Sequence, residues 1–191
     1  MRLCLIFFSV FFAFSTAISY GQKFIIDTTK ENEVRFFAEA TFNNFEGITK
    51  TISGYMILDN KNNRFDFRVT LDSLDTGIGL RNKHMRSDLH TDKYPFAEFK
   101  GTTIKIDSIG ISKSKLTAPG NFFINGVTKS LVVNGEFYNF GKLKEIESNF
   151  NLKLSDFNIG RPSFLFNKLH NIIKLKVIFF LKRVNNKNLQ N

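Results

Sequence analysis

Four side chains within ten residues could bind an anion: Arg81, His84, Arg86 and His90. Two guanidiniums and two imidazoles are donors that a phosphate or another polar headgroup takes as partners. The same groups could instead cap a helix and hydrogen-bond the end of a sheet, and residue types alone leave both uses open. They lie in one stretch, LDSLDTGIGLRNKHMRSDLHTDKYPFAEFKG, Leu71 to Gly101. It leaves a strand, breaks at Asp75-Thr76-Gly77, and runs for about a dozen residues at helical spacing. An extended segment resumes at Tyr94-Pro95.

Other chemistry finds little footing. The three histidines, His84, His90 and His170, have no spacing that selects a metal, and the only cysteine is Cys4 near the N-terminus, so no metal site is expected. There is no G-x-S-x-G elbow, Gly-rich phosphate loop or H-E-x-x-H pair. Carboxylates are spread over the polar faces of strands, where they are solvated rather than tuned for acid–base work. The chain reads as a non-enzyme.

The elements that must position the stretch are strands. Apolar and polar residues alternate with a period of two almost throughout. Lys23–Asp27 is a short entry. Glu33–Phe42 sets Val34, Phe36, Ala38, Ala40 and Phe42 on one face. Ile48–Asp59 follows, with Gly54 as a bend. Arg64–Asp72 is the clearest strand, with Phe65, Phe67, Val69 and Leu71 opposite Arg64, Asp66, Arg68, Thr70 and Asp72. Strands are expected at Phe96–Ile106, Ser112–Ile124, Thr128–Phe140, Glu145–Ser155 and Asn171–Arg183. Asn125-Gly126 between two of them is a type I′ hairpin signal.

Eight substantial strands with one apolar face and one inserted short helix predict an all-β, eight-stranded antiparallel barrel, because closure removes the sheet edges. A barrel of that size is either filled by side chains or holds one small ligand. Leu80, Met85 and Leu89 would cover one end. Four Tyr and no Trp give none of the aromatic girdles of a membrane barrel.

The 191 residues divide into two parts. Met1-Arg2 and the apolar run Leu3–Phe14 predict a cleaved signal peptide over residues 1–21, and residues 22–191 form the barrel domain. A secreted, periplasmic domain without cysteine is held by its core. The full chain has 24 Phe, and about nineteen fall in the barrel domain, with no Trp. That surface could close into a solid core or line an apolar cavity. The net charge of +10 is spread along the strands. It carries no nucleic-acid motif, and serves either solubility or contact with an anionic membrane surface. The sequence shows no obvious exposed apolar stripe from which an oligomeric state could be read.

Several segments resemble the YceI family of lipid-binding proteins. Ser73-Leu74-Asp75-Thr76-Gly77 is similar to its S-I-D-T-G strand end. Arg81, His84-Met85 and Arg86-Ser87-Asp88 match R-x-x-H-M/L-R-S-D, and Lys93-Tyr94-Pro95 with Phe99 matches K-Y-P-x-x-x-F. Gly120 to Lys129 (GNFFINGVTK) is similar to G-x-L-T-I-x-G-V-T-K. Ser155 to Gly160 (SDFNIG) is similar to S-D-F-G-I, with Asn158 where Gly is common.

The resemblance implies a lipocalin-like barrel with a long apolar cavity for an isoprenoid chain, such as a polyprenyl lipid or a quinone tail, in a periplasmic protein. No cofactor is expected beyond such a bound isoprenoid lipid or quinone. Residues expected at the ligand are Phe36 and Phe42; Phe65, Phe67 and Val69; Phe99, Phe122 and Ile124; Val133 and Phe137; Phe150 and Leu152; and Val177 and Phe179. Arg81, His84, Arg86 and His90 are the headgroup candidates. A filled barrel acting as a stress-linked interaction module is the alternative, and a quinone-dependent redox partner a third reading.

Overall fold

The alternation becomes strands in the computed structural model, which describes residues 21–59, 63–110, 112–160, 163–164 and 167–184. The expected leader lies outside those residues. In chain order the strands are β1 (Gln22–Ile26), β2 (Glu33–Ala40), β3 (Phe45–Thr49), β4 (Ile52–Leu58), β5 (Arg64–Thr70) and β6 (Phe96–Gly101). They continue as β7 (Lys105–Ile106), β8 (Lys113–Ile124), β9 (Val127–Phe140), β10 (Leu143–Lys153), β11 (Ser163–Phe164) and β12 (Asn167–Arg183). One α-helix, α1 (Gly79–Asp88), interrupts them.

Every pairing is antiparallel, in the order β1-β4-β5-β6-β8-β9-β10-β12. β12 then returns to β1 through Phe24↔Arg183 and Ile26↔Leu181, which closes the ring. β2 continues β1 along the same edge of β12, with Val34↔Val177 and Phe36↔Leu175 in register. β3 pairs with β2 as β4 pairs with β1. Each of these broken pairs occupies one position, so the barrel is closed and eight-stranded, as expected.

Two expected strands are split. Ile48–Asp59 breaks at Lys50-Thr51 because the Thr49 hydroxyl accepts the Thr51 N–H at 2.9 Å, a local bond that competes with the ladder. Ser73 Oγ donates to the Thr70 carbonyl, and Thr49 Oγ1 stands 2.6 Å from Ser73 Oγ, tying this break to the end of β5. Phe96–Ile106 divides into β6 and β7 where Ile104 turns in and is buried. β2 also stops short of its expected end, because Asn44 Oδ1 accepts the Ala40 N–H at 3.2 Å. Asn125 and Gly126 have φ of +52° and +75°, the two positive values a type I′ hairpin requires. Asn158 takes φ +54°, a left-handed conformation that Asn tolerates better than most residues.

Inward-facing residues form two buried groups. Phe24, Met56, Phe137 and Leu181, all at most 1% exposed, seal one end together with Ile104, Leu116 and Ile146. Leu71, Leu74, Leu89, Phe157 and Ile159 gather at the other end, beneath α1. Each such side chain contributes roughly 1.5–3 kcal/mol on burial.

Candidate functional site

Between the two buried groups the barrel is not filled. The inward positions in its middle carry small side chains, among them Ala38, Ala97, Ala118 and Ser148, and these leave a cavity of about 760 Å³. That lies within the ~300–1,000 Å³ typical of small-molecule sites. The large rings are drawn onto the wall rather than across the lumen. Phe36 lies over Gly47, where a Cβ would stand 2.3 Å from its ring. Phe65 lies over Gly101 and Phe99 over Gly120, where the corresponding separations are 2.5 and 2.8 Å.

Six of the lining rings form an unbroken row from the sealed end to α1. Phe179–Phe67 centroids are 4.6 Å apart, Phe67–Phe65 6.0 Å and Phe65–Phe99 4.9 Å. Phe99–Phe122 at 6.4 Å and Phe122–Phe157 at 5.5 Å complete it. Polar demand along this row is low. Ser148 donates to the Asn134 carbonyl at 2.6 Å, so its hydroxyl is satisfied on the wall. Among the described residues the wall along this row is largely apolar, and each methylene buried against it would contribute roughly 0.8 kcal/mol.

The mouth is framed by α1 and the β2–β3 connection, with Asn43, Ile78, Leu80, Arg81, His84 and Asp88 on its lining. Buried Asn82 anchors the helix: its Nδ2 donates to Asp75 Oδ1 at 2.7 Å and its Oδ1 accepts the Thr76 N–H at 2.9 Å. The Asn82 hydrogen bond, followed by the Gly77 N–H, holds the Asp75 carboxyl below its ordinary pKa. Asp75 in turn exchanges two backbone hydrogen bonds with Ile48, so the helix entry is fastened to β3. Sequence reasoning passed over Asn82; the signal was an amide in a helical stretch, where Asn is a weak helix former.

Of the fourteen residues expected at the ligand, twelve line the cavity. Phe42 does not: β2 has ended, and its side chain is 69% exposed in the β2–β3 connection. Phe137 faces inward as expected but is 0% exposed and belongs to the sealed end. Alternation along a strand gives the face and not the depth. The wall also includes Ala38, Ala97, Ala118 and Ser148, which the sequence reading left out; small residues at inward positions were the available signal.

The four polar candidates separate into two pairs. Arg81 and His84 line the mouth, with the Arg81 guanidinium 4.4 Å from the centre of the Phe45 ring. Arg86 lies 3.9 Å from Asp72, and His90 Nδ1 donates to Asn125 Oδ1 at 2.7 Å, tying the end of α1 to the hairpin. Asp88 also lines the mouth; burial raises its carboxyl pKa, partly offset by His84 and His90. His170 pairs with Glu39 at 3.7 Å, so the three histidines have separate partners or surroundings. Among the described residues no three His, Cys, Asp or Glu side chains gather as a metal site.

The YceI-like domain model matches residues 24–179, most of the chain. The chain belongs to the YceI-like domain family. Protein YceI of Shigella flexneri is 34% identical over 124 residues, which cover 59% of this chain and 62% of that protein. A relative from Photorhabdus laumondii is 32% identical over 123 residues, with the same two coverages. The match thus spans about 62% of the length of these curated relatives.

Two solved structures share the fold. BcnA of Burkholderia cenocepacia superposes with a TM-score of 0.66 at 19% identity, covering 81% of this chain and 98% of BcnA. A polyisoprenoid binding domain from Saccharophagus degradans superposes with a TM-score of 0.69 at 13% identity, covering 84% of this chain and 98% of that domain. At these identities the likeness concerns the fold.

Proposed function

We propose that this YceI-like barrel is a binding protein, not an enzyme, that encloses a long isoprenoid chain, a polyprenyl lipid or a quinone tail, and carries or stores it. The observation that carries the reading is the row of six phenylalanines along an apolar cavity of about 760 Å³, sealed at one end and bordered by polar groups at the other. The chain would lie along the row, with its headgroup near Arg81 and His84. The name of the Saccharophagus degradans domain agrees with such a ligand. On this reading the protein works in the periplasm after removal of a leader, with residues 22–191 as the working domain.

A filled barrel acting only as an interaction module is the weaker reading, because the small inward side chains leave the middle of the barrel open. Titration of delipidated protein with prenyl alcohols of increasing length tests the proposal. Affinity should climb with each added unit, at up to ~0.8 kcal/mol per buried methylene-sized group, then level off when the lumen is full. Affinity that ignores chain length would contradict enclosure.

A further inference from the structure

The rim of the cavity is apolar on its outside as well as its inside. Phe42 in the β2–β3 connection is 69% exposed, and Ile78 and Leu80 at the start of α1 are 49% and 62% exposed. Isolated exposed hydrophobics are ordinary on a protein surface. These three belong to the two segments that frame one opening: Ile78 and Leu80 line it, and Phe42 is flanked by the lining residues Ala40 and Asn43.

Cations stand on the α1 side of this rim. α1 carries Arg81, Lys83 and Arg86 against one carboxylate, Asp88. Among the described residues neither Arg81 nor Lys83 has a carboxylate oxygen within 4 Å, and the Arg81 guanidinium lies 4.4 Å from the centre of the Phe45 ring. An apolar tip flanked by cations with no acidic partner complements an anionic bilayer, whose headgroups accept the charge while the acyl boundary accepts the side chains. The opposite end is sealed by core, and its exposed Phe140 lies against Tyr138 with ring centroids 6.3 Å apart.

We propose that the cavity rim docks on an anionic phospholipid bilayer, with Phe42, Ile78 and Leu80 entering the headgroup layer and Arg81 and Lys83 meeting lipid phosphates. This rests on the carrier reading above, because docking of the mouth gives an apolar chain a path between membrane and lumen that avoids water.

Flotation with vesicles of phosphatidylcholine alone, and of phosphatidylcholine mixed with phosphatidylglycerol, tests the inference on the purified protein without added cargo. Binding is expected only to the mixed vesicles and should weaken as salt rises. Lys83→Gln should weaken it about fivefold, as loss of one interfacial charge does. Phe42→Ser should weaken it on the order of tenfold, as loss of a partly inserted ring does. Neither residue lines the cavity, so both variants should retain prenyl lipid, read by native mass spectrometry. Phe140→Ser, at the far end, should bind vesicles as the parent does.

Absence of binding to the mixed vesicles, or equal losses in Phe42→Ser and Phe140→Ser, would overturn the docking surface. A protein that holds prenyl lipid yet ignores these vesicles loses the docking inference and keeps the carrier reading. A protein that docks through Phe42 but takes up no prenyl lipid keeps the surface and loses the carrier reading.

Discussion

Phe137 and Phe67 are both inward-facing phenylalanines, yet truncating them should have unequal effects. Phe137 is 0% exposed and packs in the sealed end with Phe24, Leu116, Ile146 and Leu181. Phe137→Ala opens a new cavity in a filled region and should cost about 3–5 kcal/mol. At about 2–4 °C per kcal/mol for a domain of this size, the midpoint falls by roughly 6–20 °C. Phe67 touches Phe179 at 4.6 Å and Phe65 at 6.0 Å on one side and borders the lumen on the other. Its removal enlarges space that is already empty, and about half of a buried ring's contribution is lost, roughly 1–2 kcal/mol. The assay is urea and thermal unfolding of both variants after delipidation, with native mass spectra to verify that the protein is bare. Adding prenyl lipid should stabilise the Phe137→Ala protein by the same increment as the parent, and the Phe67→Ala protein by less. Equal losses for the two truncations in bare protein would refute the distinction between lumen and core.

Lys144 is 7% exposed and donates to Asn139 Oδ1 and the Gly141 carbonyl; burial, then the Arg183 charge, lowers its pKa. The folded chain therefore gives up this proton before the unfolded chain does, so stability gains as pH rises from that lowered pKa toward about 10.4. Lys144→Met should be at least as stable as the parent at neutral pH and lack this alkaline gain, as urea midpoints across pH would record. Gly47→Ala would set a methyl carbon 2.3 Å from the Phe36 ring, which can move only by swinging away from the wall. That variant should fold but accept shorter prenyl alcohols than the parent, measured by competition binding. Asn82→Ala removes the amide that joins α1 to Asp75 and Thr76. It should cost about 1–3 kcal/mol and speed ligand release, visible in unfolding and in dissociation kinetics.

Much of the barrel was legible because its causes are local. Period-two alternation identifies the inward face, and Asn125-Gly126 specifies a hairpin that both residues' positive φ values realise. Asp75-Thr76-Gly77 marks the approach to α1, although β5 already ends at Thr70 and a 3-10 turn over Leu71–Ser73 lies between. What was not legible depends on individual side-chain bonds and on partners distant in sequence. The break after Thr49 is made by its bond to Thr51 and is tied to Ser73, twenty-four residues away. Phe42 alternates correctly by residue type, but Asn44 ends the ladder before it. Arg81, His84, Arg86 and His90 form one set in the sequence. The structure gives two of them to the mouth, sets Arg86 near Asp72 at 3.9 Å without a hydrogen bond, and ties His90 to Asn125. Depth along the barrel axis, which separates Phe137 from Phe67, depends on which end is sealed and is not encoded in any single strand.

The most direct test of enclosure is native mass spectrometry of the protein taken from the cells that make it, followed by organic extraction. The account predicts a discrete added mass that extracts as a prenyl lipid or a quinone with a prenyl tail. A bare protein that stays bare when prenyl lipids are supplied would contradict it.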